Sequence, residues 1–131
     1  MIILDSDFLI DFFNGLPAAV EKAKSISGYP EKLATTIFNV QEVLYGYPSK
    51  GKADKGYMMA MDFFMQIQVL NYEWGAMEKT ISVKRRLKER GSSIGVFDEM
   101  IGGICLAHGA SILTRNSEHF SKIEGLKMIT Y

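Results

Sequence analysis

Residues 1–10 read Met-Ile-Ile-Leu-Asp-Ser-Asp-Phe-Leu-Ile, and this opening decides the fold. The first four residues are apolar without alternation, which suits a short strand buried on both faces, as in a parallel sheet. Asp5 and Ser6 end that run, and either can cap a helix. Phe8, Leu9, Phe12 and Phe13 then recur at helical spacing up to Asn14-Gly15, a helix-ending pair. The chain therefore opens as a buried strand that hands over directly to a helix.

The same pattern continues. Pro17 is placed to open a second helix over residues 17–27. Leu33 to Ile37 is short and rich in β-branched residues, and Thr35 or Thr36 can cap a helix from Phe38 to Tyr45 that Gly46 and Pro48 stop. Glu42 falls about one and a half turns into that helix. A turn at Lys50-Gly51-Lys52 leads into residues 53–66, whose Met58, Met59, Met61, Phe63, Phe64 and Met65 exceed what one buried stripe needs. Methionine as flexible core filler accounts for most of them, and part of the surface is left for a partner. Gln66 to Leu70 reads as a strand, Glu73 to Arg90 as a long helix ended by Gly91, and Ser93 to Phe97 as a loop. Asp98 is expected to open a further helix on which Ile101, Ile104, Cys105 and His108 share a face, with Gly109 closing it. Ser111 to Leu113 and Leu126 to Ile129 supply two more short strands. This order implies an α/β fold: a central parallel sheet of four or five short strands, covered by helices on both faces and joined by right-handed crossovers. Residues 1–131 are expected to form a single domain, since the length and the 47% hydrophobic content suffice for one core without staples.

Composition narrows the function. No stretch approaches the roughly 20 apolar residues of a membrane helix, and the amino end begins as a strand and not as a charged segment leading into an apolar one, so a cytoplasmic protein with no membrane contact is expected. The single cysteine, Cys105, forms no internal disulfide, and two histidines give no zinc-ligand cluster. Fifteen basic and fifteen acidic residues leave no net charge, so any contact with nucleic acid must be local. Lys84, Arg85, Arg86, Lys88 and Arg90 are the one basic run, and it reads equally well as a solvated helix face.

In an open α/β sheet, functional groups gather beyond the carboxyl ends of the strands. Asp5 and Thr114-Arg115-Asn116 fall at such strand ends, and Glu42 and Asp98 lie near the starts of helices. An aspartate at a helix start has an ordinary structural use as a cap. Converging carboxylates, however, repel one another unless a cation or a raised pKa relieves them, and an all-oxygen set suits magnesium or manganese over softer metals. A hard cation held there can activate water and neutralise charge on a phosphoryl oxygen, which is what phosphodiester hydrolysis requires.

Three segments resemble one family. They are Met1 to Ile10; Thr-Thr-Ile-Phe-Asn-Val-Gln-Glu-Val-Leu-Tyr-Gly at 35–46; and the run from Ile94 through Phe-Asp-Glu-Met-Ile-Gly-Gly to Leu-Thr-Arg-Asn and Phe120. Together they resemble PIN domains, and among those the VapC-type toxins, over nearly the whole chain. The resemblance implies a metal-dependent endoribonuclease, usually a homodimer, neutralised by a small antitoxin. It implies that Asp5, Glu42 and Asp98 hold Mg2+ or Mn2+, with Ser6 supporting the site. Asn116 stands where many relatives carry aspartate and would serve catalysis through its amide. Val96 stands where another acid is often seen, and Asp7, where relatives often have asparagine, partly compensates. RNA phosphates would meet Arg85, Arg86 and Arg115. Met58 to Met65 with Phe8, Phe12 and Phe13 would form an antitoxin groove or a dimer seam.

The remaining candidates have simpler readings. His108 and His119 are each isolated and are assigned no role. Tyr72 and Trp74 read as core in preference to base-stacking residues, and Cys105 as a small buried residue. Two rival functions are a catalytically inactive PIN-like module that binds RNA or protein, and an aspartyl-phosphate phosphatase suggested by Asp5-Ser6-Asp7.

Overall fold

The computed structural model describes residues 1–48 and 53–131; the turn expected at Lys50-Gly51-Lys52 lies outside them. In chain order the elements are β1 (Ile2–Leu4), α1 (Ser6–Phe13), α2 (Pro17–Ser27), β2 (Leu33–Thr36), α3 (Ile37–Tyr45), α4 (Lys55–Phe64), β3 (Gln68–Leu70), α5 (Trp74–Glu89), α6 (Val96–Ala107), β4 (Ser111–Leu113), α7 (Ser117–Phe120) and β5 (Lys127–Ile129). Among the described residues the strands form one five-stranded sheet, ordered β3-β2-β1-β4-β5, with every pairing parallel. Helices cover both faces, as the order of elements requires.

The apolar run at the amino end explains the layering. Side chains alternate across a strand, so Ile3 enters one core while Ile2 and Leu4 enter the other. Ile3 and its register partner Ile112 pack with Val83 and Leu87 of α5, Ile101 and Ile104 of α6, and Phe120. Leu4 and its partner Leu113 pack with Phe8, Leu9, Val43 and Phe64 on the opposite face. β1 is the sheet's centre and is buried on both sides, consistent with its unbroken hydrophobicity.

Several boundaries differ from expectation for local reasons. The loop expected at Ser93 to Phe97 is shorter, because Gly95 takes φ +100° and lets α6 begin at Val96. Asp98 thus lies in the first turn and does not cap the helix. Asp5 holds the N-cap position of α1 without a side-chain cap bond, because its carboxylate is engaged elsewhere. Thr36 does cap α3, accepting from the Asn39 backbone N at 3.2 Å. His108 does not share the buried face of Ile101, Ile104 and Cys105; α6 ends at Ala107, and His108 is its exposed C-cap residue beyond the core. Trp74 is 74% exposed at the start of α5 and is not core, while Tyr72 is half-buried against Phe38. Phe8 is core, which removes it from any partner surface, but Met58 and Met59 are exposed on α4 beside Phe63. α7 has no counterpart in the sequence reading.

The closest helix contact joins α5 and α6. A Cβ on Gly103 would fall on Thr80 Oγ1 and within 2.7 Å of the Ala76 carbonyl oxygen, a backbone atom that cannot step aside. On Gly102 it would meet only the side chain of Ile123, most closely its flexible terminal methyl. Gly103→Ala should therefore destabilise by about 2–3 kcal/mol and Gly102→Ala by clearly less; equal midpoints in urea denaturation for the two variants would refute the close approach.

Candidate active site

Asp5 leaves the carboxyl end of β1 at the point where the order of the sheet reverses, with β2 on one side and β4 on the other. Such a switch point opens a crevice that neither neighbouring crossover fills. The pairing of Leu4 with Leu113 sets Asp5 beside Thr114, and the Asp5 backbone N donates to the Leu113 carbonyl at 3.0 Å. Thr114 Oγ1 then donates to Asp5 Oδ2 at 2.7 Å. From the other side Asn39 Nδ2 donates to Asp5 Oδ1, also at 2.7 Å. Asn39 is itself oriented, because Thr36 Oγ1 donates to its Oδ1 at 2.6 Å. Asn39, Thr36 and Thr114 are fully buried, so the bracket that holds Asp5 is rigid.

A cavity of about 370 Å³ lies over this point, lined by Asp5, Ser6, Asp7, Glu42, Asp98, Arg115 and Asn116. Ser6 Oγ donates to Glu42 Oε2 at 2.7 Å. Asp98 Oδ2 lies 2.6 Å from His119 Nδ1 and 3.5 Å from Asn116 Nδ2. Asp7 Oδ2 accepts from the Arg115 backbone N at 2.9 Å, while Asp7 Oδ1 is buried with no partner. The guanidinium of Arg115 is drawn off to Asp11 at 2.7 Å, where Tyr131 also donates. Against the four acids of the lining stands one base, Arg115, whose guanidinium is paired with Asp11 and eases Asp7 but not Asp5.

That imbalance acts on Asp5. Burial first, and then the charges of Asp7 and Asp98, outweigh its hydrogen bonds and push its carboxyl from 3.8 to about 7. Burial also raises Asp7. As the side chains stand, no three His, Cys, Asp or Glu groups among the described residues are gathered closely enough to hold an ion. The donor set nevertheless fits a hard divalent cation: the donors are carboxylate, hydroxyl and amide oxygens, one acid is forced toward protonation without a counter-charge, and one buried carboxylate oxygen has no partner.

The cavity brings together Asp5, Ser6, Asp7, Glu42, Asp98, Arg115 and Asn116 of the residues singled out in the sequence. Arg85 and Arg86 lie on α5 outside its lining, and Arg86 is paired with Glu124 at 2.9 Å, as is Arg90 at 3.2 Å. Lys84 lies 3.8 Å from Glu99 in the first turn of α6. The sequence reading missed Asn39 and His119. A polar residue three positions after the capping threonine, in a first turn that is otherwise Ile37, Phe38 and Val40, is a usable signal for Asn39. His119 has none without the short helix that carries it. Cys105 is buried, which pushes its thiol up and leaves it inert.

The PIN domain family model matches residues 2–126. Among curated proteins, the tRNA(fMet)-specific endonuclease VapC of Shigella flexneri is 26% identical over 125 residues, which is 95% of this chain and 93% of the relative. Among solved structures, VapBC2 from Rickettsia felis, bound to a DNA fragment from its promoter, matches with a TM-score of 0.84 at 20% identity, covering 100% of this chain and 99% of that one. A toxin-antitoxin complex from Klebsiella pneumoniae matches with a TM-score of 0.76 at 20% identity, covering 99% and 97%. Both structures share the three-layer α/β/α fold with this chain.

The raised Asp5 has a consequence for stability. The folded state keeps a proton that the unfolded chain has released above about 3.8, so this stabilisation is complete below that pH and is lost as pH rises through about 7. Metal-free protein should melt lower at pH 8 than at pH 5. Asp5→Asn should remove most of that difference and stabilise the protein at pH 8 by on the order of 1–3 kcal/mol. Thermal melts in EDTA from pH 5 to 8 measure this, and a variant whose melting keeps the wild-type pH profile would refute it.

Proposed function

The chain belongs to the PIN domain family, and on that premise we propose that it is a metal-dependent endoribonuclease, the toxin of a toxin–antitoxin pair. The observation that carries the reading is the cavity over the β1–β4 switch point, which Asp5, Glu42 and Asp98 line together and where burial, then the charges of Asp7 and Asp98, force Asp5 up. These three carboxylates would hold Mg2+ or Mn2+. When bound, the cation supplies Lewis acidity at the phosphate and compensates its negative charge.

The chain's own residues supply the rest. A phosphodiester brought to this cavity meets four acids, so the site repels its substrate until that charge is offset. Asn39 and Thr114 hold Asp5 in one orientation, and Ser6 does the same for Glu42. Each bonded carboxylate oxygen keeps a lone pair free for the cavity. Asn116 adds a neutral amide that can donate to a phosphate oxygen or orient water without adding negative charge. Arg115, 60% exposed at its side chain, sits at the rim, where a phosphate oxygen can compete with Asp11 for its guanidinium. Arg85, exposed on α5, would contribute at longer range through the salt-dependent attraction of the backbone.

The choice of RNA and of the toxin role is supported by relatives: the Shigella protein is described as a tRNA endonuclease, and the Klebsiella structure as a toxin-antitoxin complex. The partner surface proposed for an antitoxin helix is the groove on α4 lined by Lys55, Met58, Met59, Asp62, Phe63 and Gln66, with Phe12 and Phe13 packed beside Phe63. A helix with apolar anchors one turn apart suits such a groove. The protein is proposed to be a homodimer of single-domain chains.

Purified protein incubated with structured RNA and Mg2+ or Mn2+ should cleave it. EDTA should abolish cleavage, and Asp5→Asn and Asp98→Asn should each lower kcat by at least about 100-fold, since loss of even an outer partner of a metal site commonly costs about 10–100-fold. Undiminished cutting in EDTA or by the Asp5 variant would sink the metal nuclease, and cleavage by none of the proteins across several RNAs would favour the inactive binding module.

A further inference from the structure

The shortest side-chain hydrogen bond at the rim of the cavity is made by a residue outside its lining. We infer that His119 is a positioning residue that fixes Asp98 for cation binding, an inference that rests on the proposed role of Asp98 as a metal-holding carboxylate. His119 Nδ1 lies 2.6 Å from Asp98 Oδ2, while the Asn116 amide reaches the same oxygen only at 3.5 Å, the outer limit of a hydrogen bond. A carboxylate accepts only, so the imidazole donates from Nδ1. Among the described residues nothing donates to Asp98 Oδ1, and Asp98 lines the cavity. One oxygen is therefore tied back and the other left for a ligand.

The backbone is built to hold this contact. His119 is the third residue of α7, whose two ends are pinned. The Asn116 backbone N donates to Thr114 Oγ1 at 2.9 Å, and Phe120 is fully buried in the core around Ile112. The ring has only to choose its rotamer. Asp98 depends on it, because the carboxylate sits in the first turn of α6 with no cap bond of its own. Its side chain is 24% exposed and that of His119 38%, so the pair lies at the surface of the cavity and removing the imidazole opens no hole in the core. Metal-binding side chains are commonly oriented by an outer partner of this kind. The arrangement also gives the Asn116 position a different meaning: the neutral amide contributes at most a weak contact to Asp98, and the ordering falls to the histidine three residues on.

The test compares His119→Ala, His119→Asn and the exposed control His108→Asn with wild type. Mn2+ affinity is measured by calorimetry on metal-free protein, together with kcat and KM on one RNA. His119→Ala should weaken Mn2+ binding by about 10-fold or more and lower kcat, with KM for RNA unchanged within about 2-fold. His119→Asn, whose amide can donate near the Nδ1 position, should recover most of the affinity, and His108→Asn should match wild type. Nitrogen-15 spectra of metal-free protein at pH 8 should show His119 protonated at Nδ1. Mn2+ affinity and kcat unchanged in His119→Ala, or an unprotonated Nδ1, would overturn the inference while leaving the nuclease standing. Wild-type protein that binds no Mn2+ would instead remove the nuclease reading and the inference together.

Discussion

The structure turns on the bracket that holds Asp5. A carboxylate at the end of the central strand is taken from one side by Thr114 at the end of β4 and from the other by Asn39 in the first turn of α3, each at 2.7 Å. Three buried elements must therefore agree in register and length for that one side chain to be satisfied. Burying a charge is tolerated only where hydrogen bonds and a counter-charge compensate it. Here the hydrogen bonds are present, the counter-charge is not, and the carboxyl rises to about 7. The fold thus maintains a local cost at the site where a cation would relieve it, which is the usual relation between strain in a scaffold and chemistry in a cavity.

Charge is handled differently away from this point. The chain is neutral as a whole, and three of its four arginines are paired: Arg86 and Arg90 with Glu124, Arg115 with Asp11. These exposed pairs are weak, so a phosphate can displace a carboxylate from them at little cost. Under the proposed function, nucleic acid need not be attracted from a distance: arginines that change partner on contact suffice, which is the role proposed for Arg115, beside Asp7 and Asn116.

Much of the fold was legible because the strands are short, continuous and apolar. Met1 to Leu4 can be little else than a buried parallel strand; Pro17, Gly91 and Gly109 mark helix ends by their backbone chemistry and Thr36 by its capping hydroxyl. The acids that share the cavity were legible in part by position, Asp5 at the end of β1 and Asp98 in the first turn of α6, whereas Glu42, midway along α3, was found by its resemblance to a family motif. What escaped depends on three-dimensional pairing. Asn39 differs from any polar helix residue only once β1 lies beside β2. His119 matters only because a four-residue helix, too short to announce itself by periodicity, turns it back toward α6. His108 failed in the other direction, since helical spacing extends a face beyond the point where the core ends, and Trp74, read as core for want of neighbouring aromatics, is exposed at the start of α5.

The bracket also spans the chain in time. Asp5 and Thr114 are 109 residues apart, and Asp98 meets its imidazole 21 residues later in the sequence. A growing polypeptide released from the ribosome in order has its first acid almost at once and Asn39 soon after, but the other half of the bracket is missing until β4 has emerged and paired with β1. Contacts so distant in sequence close late. Under the proposed function, a chain still in synthesis therefore carries the acids without the assembled site, which is complete only when β4 has joined the sheet and α7 has brought His119 to Asp98.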